Sequence, residues 1–226
     1  MPLLSTSSLP KLFQPIRIGT TNQQHRVVSV LHGILPCRCA AQHVHGPLAL
    51  EHFKQRWGIP GTLAITEGTI IAEKAGGYRN VPDIWSDEQI EGWLPMVYAV
   101  HKNGSFIFSK LQAVGHTTSP DVLRRGGTIL PPPPPPLTFP KLPKSTKTHP
   151  LRHLPRALMV EEIGEYLRLY ASAARNAVLG AWLDSVEIHA ANGYLPDQFL
   201  LTNSTVMSGR ICPAARWRIA PASCFR

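Results

Sequence analysis

The sequence predicts an α/β fold in which short buried strands alternate with amphipathic helices. Residues 62–66 and 105–108 are brief β-rich runs, the first bounded by Pro60-Gly61 and Glu67-Gly68, the second preceded by Asn103-Gly104. Between them, Ile90, Trp93, Leu94, Val97 and Val100 recur at helical spacing. The same alternation returns later, where a helical stripe precedes the apolar run Val186-Glu187-Ile188. A chain of 226 residues can bury a sizeable core, usually in a single domain, here taken as 1–226.

In order along the chain, residues 12–28 read as short strands around the turn Gly19-Thr20-Thr21-Asn22, and 27–30 as a further strand. Residues 50–56 make a first helix. Ser86 is a good N-cap for the second, with Asp87 and Glu88 favoured in its first turn by the helix dipole. Pro95 is expected to kink that helix or delay its start. A third helix places Ile163, Tyr166, Leu167, Tyr170, Ala174, Ala177 and Val178 on one face, with Gly180 after it. Met159 offers no oxygen at its start, a missing cap that costs about 1 kcal/mol. The bulky Trp182-Leu183 leads into the last strand, 185–189, on which Glu187 and His189 share one face and Val186 and Ile188 the other.

The formal charge of +9 would suggest a nucleic-acid partner until it is located. Residues 116–158 hold seven Lys/Arg against one acid, and 204–226 hold four Arg and no acid. The remainder of the chain is nearly neutral, and the excess lies in proline-rich and irregular sequence rather than on an ordered face with interleaved aromatics. That distribution excludes nucleic acid as the expected partner. No window of eighteen or more apolar residues appears, nor a basic start followed by an apolar run, so no membrane span or secretory signal is expected and cytoplasm is the default. Cys37-x-Cys39, followed by His43 and His45, spaces its thiols too closely for a structural zinc site, so no metal is expected and the cysteines are read as reduced thiols.

Residues 117–157 look unlike a strand–helix unit. The uninterrupted proline run from Pro131 to Pro136 has no backbone donors and a fixed φ, which favours an exposed polyproline II rod. It is either a disordered insertion or a ligand for an aromatic-lined groove of the SH3 or WW kind. The segment 204–226 has no clear periodicity.

The reaction-shaped stretch is His189-Ala190-Ala191-Asn192-Gly193-Tyr194. Small residues let the chain turn tightly after the strand, which can bring His189 and Asn192 to one side. Two neutral N–H donors converging on one point suit a carbonyl oxygen on which negative charge develops. Tyr194, just beyond, is a weak acid that could deliver a proton nearby.

Val186-Glu187-Ile188-His189-x-Ala191-Asn192-Gly193-Tyr194-Leu195-x-Asp197-Gln198-Phe199-Leu200 resembles the Old Yellow Enzyme family of NAD(P)H:flavin oxidoreductases, in particular its fungal ene-reductase branch. Three further blocks agree in order: Leu12-Phe13-Gln14-Pro15 with His25-Arg26-Val27-Val28, then Pro60-Gly61-Thr62-Leu63 through Thr69, then Ala75-Gly76-Gly77-Tyr78 through Ile84-Trp85-Ser86 to Phe106-Ile107-Phe108. Together they cover a little over half the chain. The resemblance implies an incomplete (β/α)8 TIM barrel of about four strand–helix units, its floor closed by an N-terminal β-hairpin. It also implies FMN reduced by NAD(P)H, with hydride passed to the β-carbon of an α,β-unsaturated carbonyl compound, an enone or enal. His189 and Asn192 would hold the carbonyl oxygen and Tyr194 would protonate the α-carbon. Gly68 stands where the family brings backbone close to the flavin, although a glycine can equally end a strand. Lys110 stands where the family has a glutamine on the flavin's pyrimidine edge, and Gln112 where it has a tryptophan. Lysine can donate to a flavin carbonyl but cannot accept from a ring N–H, and Gln112 could serve only with a local shift in register.

The departures define an alternative. The family's flavin-contacting threonine is absent near 29–38, and its later arginine and phosphate-holding elements have no counterpart here. A parallel half barrel exposes two edges and half its inner wall, so marginal stability, self-association or pairing with a chain that completes the barrel is expected. The alternative is a non-catalytic remnant acting through its proline run or by association with full-length relatives.

Overall fold

A computed structural model describes residues 9–30, 43–78, 81–117 and 158–200. The cysteines, the proline run and the 204–226 tail lie outside the described residues, as does all of the 117–157 segment except Thr117.

The hairpin β1 (Ile16–Ile18) and β2 (Thr21–Gln23) pairs Ile18 with Thr21 across a turn in which Gly19 takes φ 59°, a backbone region costly for other residues. Thr21 Oγ1 closes it by donating to the Ile18 carbonyl at 2.8 Å. Beyond it runs a four-stranded parallel sheet in the order β3 (Val28–Val30), β4 (Leu63–Ile70), β5 (Phe106–Gln112), β6 (Ser185–Ile188). Each strand is followed by a helix: α1 (Pro47–Arg56), α2 (Asp87–Lys102), α3 (Val160–Arg175) and α4 (Leu195–Leu200). Strands, helices and hairpin together form an incomplete barrel. β4 and β5 run four residues past their expected ends, carrying Gly68, Lys110 and Gln112 into the sheet.

The N-terminal ends of the strands are sealed by main-chain and side-chain bonds. Gln24 N–H donates to the Gly61 carbonyl, Gly61 N–H to Gly104, and Asn103 Nδ2 to Trp57. Ser105 Oγ and Thr62 Oγ1 both donate to the Ile59 carbonyl. The hairpin therefore closes this floor, and the opposite, C-terminal ends are where a site can form.

The core lies between the sheet and its helices. Phe53 and Trp57 of α1 and its end, and Trp93, Met96, Val97 and Val100 of α2, pack with Ala64, Ile107 and Leu111. Burying each such side chain contributes about 2–3 kcal/mol, more than any single cap can. α2 nevertheless has a complete capping box: Gln89 N–H donates to Ser86 Oγ, and Gln89 Oε1 accepts from Ser86 N–H. The helix begins at Asp87 and includes Pro95, so its start is not delayed, and Leu94 stays largely exposed while Met96 and Ala99 are buried.

At α3 the missing cap is half replaced, because Glu162 Oε2 accepts the Met159 N–H at 2.7 Å. Tyr166, Ala173 and Ala177 are buried, whereas Leu167 and Val178, expected on the same face, are exposed. Leu167 flanks the narrow stripe. Past Arg175 the chain widens into a π turn over Asn176–Gly180, which rotates Val178 outward. Trp182 does not unseat β6. It adopts φ 64° and points to solvent, leaving Leu183 to fill the core.

Candidate active site

Register assigns the inner face of the sheet. Ile107 and Leu111 pack toward the helices, so Phe108, Lys110 and Gln112 face the other way. One row across that face reads Val30, Ile65, Phe108, Ser185, and the next reads Gly68, Lys110, Glu187. The register shifts in β4 between Ile65 and Gly68, an irregularity that brings Gly68 opposite Lys110.

Lys110 is buried in that row, and among the described residues no carboxylate lies within ion-pair distance of it. A buried ammonium of this kind favours a carbonyl or anionic ligand edge. Gln112, one row higher, is also buried, and its carboxamide lies directly over Gly68. A Cβ at Gly68 would clash with Gln112 Oε1 and come within 2.7 Å of its Cδ. The bare backbone at 68 is thus used by a side chain of this chain.

After β6 the chain continues with His189, whose N–H donates to the Leu111 carbonyl at 2.9 Å. The turn closes through Tyr194 N–H to Ala191 O at 3.3 Å, with Asn192 at φ 60° and Gly193 at φ 75°. Asn-Gly is the pair that tolerates two successive positive φ values. Asp197 Oδ2 accepts the Gly193 N–H at 2.8 Å, and Gln198 Nε2 donates to the Gly193 carbonyl at 2.5 Å. Leu195 N–H bonds to Ala113 O. The turn is therefore tied both to α4 and to the end of β5.

These ties bring His189 and Tyr194 together, ring centroids 4.7 Å apart at 76°. Asn192 stands at the exposed tip of the turn, and its side chain makes no hydrogen bond to another described residue. Tyr78, which sequence reasoning did not single out, stands 6.5 Å from the Tyr194 ring. Its hydroxyl donates to Thr117 Oγ1 at 3.2 Å. The signal lay in the quoted block ending Gly76-Gly77-Tyr78, whose aromatic was read only as part of a resemblance. Burial is the main cause raising the Tyr194 pKa above the tyrosine range, followed by the Tyr78 side chain, while Gln112 acts against them. At neutral pH Tyr194 holds its proton, as a general acid must.

Comparisons with known proteins place the chain among its relatives. Residues 11–208 match the profile of the NADH:flavin oxidoreductase / NADH oxidase family. The chain is 42% identical, over 84% of its length, to the NADP-dependent oxidoreductase lnbE of Aspergillus flavus, of which it covers 47%. It is 41% identical to the probable inactive reductase easA of Epichloe festucae var. lolii, over 87% of this chain and 48% of that one. Among solved structures it is similar to the Old Yellow Enzyme homologue from Zymomonas mobilis, with a TM-score of 0.67 and 36% identity over 84% of this chain and 51% of that one. The chain thus spans about half the length of the relatives it matches.

Proposed function

The chain belongs to the NADH:flavin oxidoreductase / NADH oxidase family, and on that premise we propose that it carries the substrate-binding and proton-donating half of an FMN-dependent ene reductase, using NAD(P)H to reduce the C=C bond of an α,β-unsaturated aldehyde or ketone. The observation that carries this reading is the contact of His189 with Tyr194 at the C-terminal ends of parallel strands, beside a buried Lys110. That donor set fits a flavin: Lys110 can donate to a carbonyl of the isoalloxazine, and Gln112 is the flexible group covering Gly68, able to turn toward the ring. FMN, when bound, supplies the hydride.

The protein's own residues do the rest. His189 and Asn192 donate to the substrate carbonyl oxygen, and those bonds strengthen as enolate charge develops, which favours the transition state over the ground state. Tyr194 delivers a proton to the α-carbon. A purified protein that is yellow, is bleached by NADPH and recovers its colour with an enone supports the reading. A colourless preparation, unchanged by added FMN, overturns it.

A second reading, a non-catalytic chain acting by association with full-length relatives, draws on the outer strands. β3 exposes Val28 and Val30, and β6 exposes Ile188. Among the described residues no further strand pairs with β3 or β6 on its outer side, and open apolar sheet edges favour pairing with another chain. A colourless protein that elutes as a complex with a full-length relative is its expected signature.

A further inference from the structure

The outward side of α2 is not a plain solvated face. Glu91, Pro95, Tyr98 and Lys102, all exposed, form one stripe along the helix, opposite the buried Trp93, Met96, Val97 and Val100. Leu94 flanks the stripe and is exposed with it, and Tyr98 is 69% exposed. The chain entering β6 runs beside this stripe. A Cβ on Gly180 would stand 2.9 Å from Ile90 Cγ2, and Asp184 Oδ2 lies 3.0 Å from His101 Nε2. Trp182, midway between those two ties, therefore sits level with Leu94 and Tyr98. It holds φ 64°, a region costly for a bulky residue, and its indole is 70% exposed. Val178 and Leu179, exposed on the preceding turn, extend the same patch.

Charge decides which occupant fits. α2 carries Asp87, Glu88 and Glu91 toward its start and His101 and Lys102 in its last turn. The helix dipole accounts for that order, but not for the exposed apolar residues between. We propose that this face is the dimer interface of the protein, with a second copy lying antiparallel across it on a twofold axis that passes between Pro95 and Tyr98. Under that operation Glu91 meets Lys102 of the second copy, and Lys102 its Glu91. Each Tyr98 packs on the other copy's Pro95, and the two Trp182 indoles lie side by side. A parallel arrangement would set Glu91 against Glu91. The exposed aromatic and aliphatic side chains amount to roughly 600 Å² on each copy, about 1,200 Å² in all, the lower edge of specific interfaces. An affinity on the order of micromolar follows. Neither the flavin reading nor the open edges of β3 and β6 enter into this pairing.

Sedimentation velocity of the full chain from about 1 to 100 μM tests it, with circular dichroism as the check on folding. A monomer–dimer equilibrium is expected. Glu91→Lys and Lys102→Glu, both at exposed positions, should each raise the dissociation constant about tenfold or more, because like charges then face each other at both ends. The double variant Glu91→Lys/Lys102→Glu should regain the parent's dimer, and an equimolar mixture of the two single variants should form the mixed dimer. Trp182→Asn places a residue that tolerates the left-handed backbone, so the monomer should melt no lower while the dimer weakens about tenfold or more. A chain monomeric throughout the range would overturn the proposal. So would a dimer indifferent to Trp182→Asn and to the charge reversals, as pairing through β3 and β6 would be, or single reversals that the double variant does not rescue.

Discussion

The His189 and Tyr194 rings meet edge to face, 4.7 Å between centroids and 76° between planes. Such a contact contributes about 0.5–1.5 kcal/mol beyond the area it buries and fixes where the phenol points. Tyr194→Phe keeps the ring contact and removes only the hydroxyl. It is expected to fold normally and, in flavin-loaded protein, to slow enone reduction by about a hundredfold or more, the usual weight of a general acid. Flavin bleaching by NADPH should be unchanged. Stopped-flow measurement of the two half-reactions checks this, and equal losses in both would count against the acid role.

The alternation of strands and helices was legible because it rests on local signals. Ser86 with Gln89 marks a helix start, and the apolar periods of α2 and of the four strands mark what must be buried. What could not be read depended on distant backbone. Nothing in Leu63–Ile70 announces that its register slips against β5, and that slip decides that Gly68 faces Lys110. Val178 was placed inside because a 3.6-residue period was continued through a π turn. Asn192-Gly193 was read for its side chain, while in the fold its first physical role is a left-handed turn. Tyr78 lies 116 positions before Tyr194 in the chain, and only the strand order of the sheet brings them together.

Gly68→Ala tests the seat of Gln112. Gly68 is not in the left-handed region, so alanine adds no backbone strain and reduces unfolded-state freedom by about 0.4–1 kcal/mol. Its methyl would displace the Gln112 carboxamide, the far end of a flexible side chain. The expected outcome is a nearly unchanged Tm. Calorimetry of the variant beside the parent checks this, and a large drop in Tm would show that the Gln112 carboxamide has nowhere else to go.

Asp184 joins α2 to the start of β5. Its Oδ2 lies 3.0 Å from His101 Nε2 and accepts the Ile107 N–H at 2.8 Å. The hydrogen bond to Asp184 raises the His101 pKa above its ordinary 6.5. A raised folded value means stability that is full below 6.5 and is lost as pH rises through the raised value. His101→Gln should therefore lower Tm most in mildly acidic buffer, with the gap to the parent closing in alkaline buffer. Asp184→Ala also orphans the buried Ile107 N–H, costing about 1–3 kcal/mol at every pH. Thermal melts of both variants across pH separate the two contributions, and a pH-independent gap for His101→Gln would refute the ion pair.

Asp83 carries the opposite liability. Burial pushes its carboxyl up to about 7, against the partial relief of His43 and of the Trp85 indole, with Glu73 adding to the rise. His43 Nδ1 stands 3.6 Å from Oδ1, and Trp85 Nε1 donates to Oδ2 at 3.2 Å. Because the folded value lies above the ordinary 3.8, the native state holds a proton that the unfolded chain releases. This contribution to stability is full below 3.8 and is lost as pH rises toward about 7. Asp83→Asn keeps an acceptor for Trp85 and cannot ionise, so its melting temperature should exceed the parent's above pH 7 and fall level with it near pH 4. His43→Gln removes the Coulombic relief that His43 gives the carboxylate and should steepen the parent's decline over the same window. The two variants thus bend the stability curve in opposite directions, and parallel curves for all three proteins would show that Asp83 ionises without strain.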